Sequence, residues 1–272
     1  MVPPDPQLIF EAPADARARV VVRDVSVSFD AIEAIRGVEL ALGDGELVSL
    51  VGPSGCGKST LLAAIAGLVE PHSGEIWLDG QRVTNRLGHV ALMPQRDALL
   101  PWRTVLENVL LPAVVAGTDV RATRGRALEL LPRFGLQGFA EHYPRALSGG
   151  MRQRAAFLRT VLTERDVMLL DEPFGALDAL TRRSMQEWLL SLWEDLSRTI
   201  LMVTHDVEEA LLLSDRVAVM TARPGTIALV EPVDLPRPRT PEMVSDPRFV
   251  AQKARLLAAL RNEMSFGSEV LR

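Results

Sequence analysis

The sequence predicts an α/β fold: a mainly parallel sheet covered by helices, an antiparallel β portion and an inserted helical subdomain. Three observations predict it. Short apolar strand candidates alternate with helical periodicity along most of the 272 residues, the pattern of sheets buried on both faces. A glycine-rich turn, Gly52-Pro53-Ser54-Gly55-Cys56-Gly57-Lys58-Ser59-Thr60, joins a buried strand to a helix. Between Met93 and Glu164 the pattern is almost wholly helical, which places a helical subdomain of about 94–164 between two strands of the core.

Taken in order, residues 1–18 are rich in Pro and Ala and lack periodicity, so they are expected to form a flexible tail. Val20–Phe29 alternates as a strand does. Further strands are expected at Glu46–Val51, Glu75–Leu78, His89–Met93, Val167–Asp171, Ile200–Thr204, Arg216–Met220 and Thr226–Val230. Helical spacing appears at Lys58–Leu68, Thr104–Val115, Arg121–Phe134, Gly150–Thr163, Leu180–Leu196 and Val207–Leu213. The run Leu235-Pro236-Arg237-Pro238-Arg239 marks a break. It ends a main domain of 19–234 and opens a C-terminal extension of 235–272, with a short amphipathic helix over about 247–261.

Composition narrows the classes of function. Apolar residues make up 47% of the chain, enough for a sizeable core. A net charge of −5 argues against a dedicated nucleic-acid binder, which usually carries a basic face. The one cysteine, Cys56, allows no internal disulfide. No charged start followed by an apolar run suggests a signal peptide. No apolar stretch reaches the ~18–20 residues that span a bilayer. Any role at a membrane is therefore expected to come through a partner.

The glycine-rich turn fits G-x-x-x-x-G-K-[ST], a phosphate-binding loop. Wrapping a polyphosphate requires several inward N–H groups, which the glycines permit. Lys58 adds a cation for β- and γ-phosphates, and the Ser59 hydroxyl suits Mg²⁺. The helix that follows presents its positive end to the anion. By itself the loop indicates ATP or GTP.

Two further stretches carry chemistry. Val167-Met168-Leu169-Leu170-Asp171-Glu172-Pro173 is an apolar strand ending in two acids. Such acids face the ligand crevice of an α/β sheet. Asp171 is expected to hold Mg²⁺ and Glu172 to polarise the attacking water. The plainer alternative, a loop acid pair capping the next turn, is disfavoured by the phosphate loop. Ser148-Gly149-Gly150 opens a helix and forms a second anion site of the same physical type. Its plainer alternative is an ordinary serine N-cap. Two γ-phosphate sites in one chain suggest a site shared between two molecules.

The phosphate loop, Leu147-Ser148-Gly149-Gly150-Met151, Leu169-Leu170-Asp171-Glu172-Pro173 and a histidine after the next strand resemble, in order and spacing, the ATPase subunits of ABC transporters. The resemblance spans roughly residues 20–230 and implies a P-loop NTPase core. It implies a head-to-tail dimer in which Ser148, Gly149 and Gly150 of one copy meet the γ-phosphate held by residues 52–60 of the other. It also implies roles for four more residues. Phe29 stands where an aromatic, more often Tyr, stacks on adenine; Phe keeps the π-face. Gln95 matches the glutamine that reaches Mg²⁺ and the attacking water. Asp178 lies in the loop that crosses the dimer interface, and His205 matches the histidine that contacts the γ-phosphate. The cofactors implied are ATP and Mg²⁺. Met151 departs from the family's usual Gln and is expected to weaken only a peripheral polar contact. Cys56 is read as a small residue inside the loop.

Finer features point to a branch. The chain carries one phosphate loop and no fused membrane helices or long coiled coil, unlike many exporters, translation factors and DNA-repair relatives. Leu99-Leu100-Pro101-Trp102-Arg103-Thr104-Val105-Leu106-Glu107-Asn108-Val109, and Ala222-Arg223-Pro224-Gly225-Thr226-Ile227 followed at a distance by Leu235-Pro236-Arg237-Pro238-Arg239, together resemble the importers of nitrate, sulfonate and taurine, a branch that also includes carriers of vitamin precursors such as pyrimidines. Exposed Leu99, Leu100 and Trp102 are expected to dock a permease helix. The implied partners are a second ATPase subunit, integral-membrane permease subunits and, indirectly, a periplasmic or surface binding protein. The implied location is the cytoplasmic face of the cell membrane, as a peripheral subunit. A soluble ABC ATPase acting outside transport is the competing class. Neighbouring permease and binding-protein genes separate the two.

Overall fold

The computed structural model describes residues 18–175, 177–196 and 198–269. The expected tail therefore lies outside the described residues except for Ala18. The described chain forms two compact units, one from residues of 1–89 and 197–272, the other from 90–196.

In the first unit, β1 (Ala18–Phe29) and β2 (Ile32–Gly43) form an antiparallel hairpin with Val21 opposite Ala41. Strands β3 (Leu47–Val51), β4 (Ser73–Leu78) and β5 (Gln81–Arg82) follow, with helix α1 (Lys58–Ile65) between β3 and β4. One sheet has the order β2-β1-β4-β5 and is antiparallel throughout. Val20, Val22, Val25 and Val27 of β1 are buried, as expected of branched side chains on a pleated surface.

The sequence pattern gave no strand for residues 32–43. Glu33, Ala34, Glu39, Leu40, Ala41 and Leu42 blur the alternation with helix-favouring types. Pairing with β1 decides the conformation, and several register shifts along the hairpin accommodate the irregular pattern.

The same unit continues in the second unit's wake along the chain with β8 (Thr199–Val203), α7 (Val207–Leu213), β9 (Arg216–Met220), β10 (Ile227–Pro232) and α8 (Pro247–Glu269), numbered after the elements β6–β7 and α2–α6 given next. Strand β3 lies between β8 and β9 and runs parallel to both, and β10 pairs antiparallel with β9. Every residue of β3 and β8 is buried, and all but Ser49 and Thr199 are apolar, as expected of strands covered on both faces. Helix α8 extends beyond the short helix expected there. Its Phe249 and Leu256 pack with Leu211 of α7, Val217 and Val219 of β9, and Leu235.

The second unit holds β6 (Ala91–Met93), α2 (Val105–Val109), α3 (Leu111–Ala116), α4 (Val120–Leu130), α5 (Gly149–Val161), β7 (Val167–Asp171) and α6 (Ala179–Leu196). Strands β6 and β7 are parallel, with Met93 opposite Leu170. One expected helix over 104–115 is two. Pro112 lacks an N–H to continue the α2 ladder and sits in the first turn of α3. Edge-to-face contacts join Phe157 of α5 to Phe134 at 6.1 Å and to Phe174 at 6.2 Å, while Trp188 of α6 lies 4.1 Å from Phe134.

Candidate functional site

The loop 52–57 leaves the carboxyl end of β3 and ends at Gly57, the N-cap of α1, whose φ is 108°. A Cβ at Gly57 would lie 2.4 Å from Ile35 Cγ2 and 2.8 Å from Ala34 O, so the loop packs directly on β2. Lys58 is buried at 8% exposure. Its ammonium donates to Gly52 O and Pro53 O, each at 2.8 Å, and lies 3.6 Å from Cys56 Sγ. Burying an ammonium is costly unless it is hydrogen-bonded, and the loop's own carbonyls meet that need. Ser54, Gly55 and Ser59 are exposed, Thr60 is half-buried and Cys56 is buried.

His205 follows β8, whose Val203 lies beside Leu50 of β3. His205 and the loop therefore both follow the carboxyl ends of adjacent parallel strands, where ligand crevices form. Thr204 accepts the Asp206 N–H at 3.1 Å and pairs with the Glu209 carboxyl, while Asp206 caps α7. The His205 side chain is exposed. Phe29, at the end of β1, is 48% exposed and so presents a ring face to solvent.

Gln95, Asp171 and Glu172 belong to the second unit. Asp171 ends β7 and is buried, and Glu172 follows it. The parallel register of β6 and β7 brings Gln95 beside Glu172, and Gln95 Nε2 donates to Glu172 Oε2 at 3.0 Å. The Glu172 backbone is left-handed, with φ 48°. A non-glycine residue held there costs on the order of 1–3 kcal/mol, and such strain clusters at functional sites.

Ser148 caps α5, and its hydroxyl accepts the Met151 N–H at 3.2 Å. The plainer role considered for this serine is therefore present. Ser148 and Gly149 are also exposed, which leaves the helix end accessible. Asp178 is exposed. Its carboxyl accepts the Thr181 N–H at 3.0 Å, and hydrogen bonding with Thr181 holds its pKa below the ordinary value. Ala176, its neighbour in the loop, lies outside the described residues.

The surface expected to dock a helix needs one correction. Leu99 is only 9% exposed and packs inward; Trp102 is 70% exposed and Leu100 half-buried. Asn108 explains the corner. Fully buried, it donates to Leu100 O, Arg103 O and Thr104 O and accepts the Leu100 N–H at 2.7 Å. The sequence reading also passed over Arg152 and Arg159 of α5. Arg152 pairs with Asp97 at 3.0 Å, and Arg159 donates to Asp97 O and Ala98 O at 2.7 Å. Burial lowers the Arg159 pKa, opposed by Asp97. The run Gln95-Arg96-Asp97-Ala98 is thus tied to the helix that Ser148 opens. Two arginines seven positions apart, on one face of a helix, were the available signal.

A strand–loop–helix phosphate site on a parallel α/β sheet, with a strand-end carboxylate pair, defines the class of P-loop nucleotide hydrolases. Residues 35–175 match the ABC transporter family, and this chain belongs to it as an ATP-hydrolysing, ATP-binding subunit. It is 48% identical to the formylaminopyrimidine import ATP-binding protein ThiZ of Halalkalibacterium halodurans over 75% of this chain and 80% of that protein. It is 41% identical to the aliphatic sulfonates import ATP-binding protein SsuB of Bacillus cereus over 81% of this chain and 88% of that protein. A solved dimeric ATP-binding cassette in a post-hydrolysis state, bound to ADP and phosphate, is 32% identical, with a TM-score of 0.71 over 79% of this chain and 98% of that one.

Proposed function

We propose that this chain powers an importer that moves a small solute of the nitrate, sulfonate or taurine type through a separate membrane permease. The observation that carries the chemistry is the 3.0 Å contact between Gln95 Nε2 and Glu172 Oε2. A carboxylate beside an amide able to orient water supports reading Glu172 as the base.

In this reading residues 52–60 wrap the triphosphate, with Lys58 on the β- and γ-phosphates and Phe29 stacked on adenine. Ser148, Gly149 and Gly150 of a second copy close over the γ-phosphate, and Asp178 lines that interface. Glu172 accepts a proton from the attacking water, Gln95 orients that water, and His205 contacts the γ-phosphate. By the family resemblance Ser59, Gln95 and Asp171 are the residues that would hold Mg²⁺; their hydroxyl, carboxamide and carboxylate are each hard oxygen donors of the kind it takes, with phosphates supplying further ligands. The ion would neutralise charge developing on the transferred phosphoryl group.

ATP favours the closed dimer because its contacts extend to both copies. Hydrolysis removes them and the dimer reopens. Motion reaches the permease through Leu100, Trp102 and the Asn108 corner. Among the described residues no helix is long and apolar enough to cross a membrane. By likeness to importer ATP-binding subunits, the chain would sit peripherally on the cytoplasmic face of the cell membrane, with a binding protein as an indirect partner and no nucleic acid.

The test is Glu172→Gln. Turnover should fall by about 10²–10⁴-fold, with ATP binding kept and a stable ATP-bound dimer on size-exclusion chromatography. Near-normal phosphate release would refute the base. The 48% identity to a formylaminopyrimidine import subunit favours a second reading, a pyrimidine-type vitamin-precursor importer. Calorimetric titration of the cognate binding protein separates the two. Binding of nitrate, sulfonate or taurine supports the first, and binding of the pyrimidine supports the second.

A further inference from the structure

The Arg223-Pro224-Gly225 stretch resembles a branch marker in sequence, and the site as described gives it no task. In the structure it lies in the turn between β9 and β10. That turn is closed by Thr221, whose N–H donates to Thr226 O and whose hydroxyl accepts the Thr226 N–H, both at 2.9 Å. Gly225 stitches the turn to β2: its N–H donates to Ala34 O, and its carbonyl accepts the Arg36 N–H, each at 3.0 Å. Two hydrogen bonds of the Arg223 side chain converge on one atom. Nε and Nη2 donate to Gly55 O at 3.0 and 2.8 Å.

We infer that Arg223 is a positioning residue for the phosphate loop, with Gly225 the notch that lets the turn approach closely enough. A Cβ on Gly225 would stand 2.0 Å from Cys56 O, so only glycine allows this contact. Arg223 in turn fixes the Gly55 peptide. In a planar trans peptide the N–H points opposite the C=O, so anchoring Gly55 O also sets the Cys56 N–H. That N–H donates to Pro53 O at 3.4 Å, and Pro53 O is one of the two carbonyls that hold Lys58 Nζ. A guanidinium fork outside the loop thereby fixes the backbone at the position of Lys58, and Gly55 keeps its left-handed φ of 75°. A lysine ammonium lacks that rigid fork.

This inference rests on reading residues 52–60 as the nucleotide site, and the experiment separates the two. Binding of fluorescent ATP and ADP analogues is measured for the wild type and for Arg223→Gln, Arg223→Lys and Lys58→Ala. Hydrogen exchange of the 52–60 segment is followed in the same proteins without nucleotide. Arg223→Gln should weaken ATP and ADP alike by about five- to tenfold. Its kcat at saturating ATP should stay within about twofold while KM rises. Exchange should quicken in 52–60 and not elsewhere, which also controls for folding because Arg223 is exposed. Arg223→Lys should recover only part of the loss. If Arg223→Gln binds and exchanges as wild type while Lys58→Ala loses nucleotide, the inference fails and the phosphate loop stands. If Lys58→Ala also binds normally, the site reading itself fails. If Arg223→Gln weakens ATP alone, or Arg223→Lys restores binding fully, Arg223 acts as a charge on the nucleotide and positioning is overturned.

Discussion

At the scale of single residues, the pair Gln95–Glu172 makes a sharp prediction. Replacing the amide by Gln95→Glu sets two carboxylates at hydrogen-bond distance. Like charges sharing a site raise one pKa. With Glu172 as the proposed base, which must be deprotonated to act, this like-charge pair moves the acidic limb of the kcat/KM profile to higher pH. A pH–rate series checks this, and an unmoved limb separates Gln95 from the base. Residue identities were the most legible part of the site. Gly52–Thr60, Asp171 and Glu172 form a recognisable nucleotide-hydrolase pattern by type and spacing. The 3.0 Å contact was not legible, because 77 positions separate its partners in the chain and only the β6–β7 register joins them.

At the scale of elements, the corner before α2 depends on one buried amide. Asn108 serves four backbone groups of residues 100–104. Asn108→Ala leaves them without that partner and should cost about 2–3 kcal/mol, read from the denaturant midpoint. Thr104→Ala removes a capping box with Glu107 and should cost about 1 kcal/mol by the same measure. Mostly apolar runs such as Leu47–Val51 and Ile200–Val203 were legible because burial on both faces demands them. Strand β2 was not, since its Glu, Ala and Leu content favours helix and only pairing to β1 overrides it. The split between α2 and α3 was legible in principle from Pro112.

At the scale of the whole molecule, the C-terminal extension is part of the first unit's core. Phe249 and Leu256 of α8 are fully buried among residues of α7 and β9. Lys253 pairs with Glu208, and Arg255 pairs with Glu231. Phe249→Ala should cost about 3–4 kcal/mol in thermal or chemical unfolding, and removing 235–272 should yield aggregated protein on size-exclusion chromatography. The proline-rich break suggested a boundary here. Prolines report where a regular element stops and say nothing about whether the chain packs back afterwards.

On the proposed reading of residues 52–60 as the triphosphate site, the seating of Lys58 has a thermodynamic consequence. A free lysine side chain carries about 2 kcal/mol of rotamer entropy. Here its ammonium is already fixed by Gly52 O and Pro53 O. The ordering of that chain therefore belongs to the free energy of folding, and a phosphate meets a cation that has little freedom left to lose. Affinity at this loop is then governed by hydration shed from the anion and the ammonium. Calorimetry over a range of temperature should report it as a binding entropy dominated by released water.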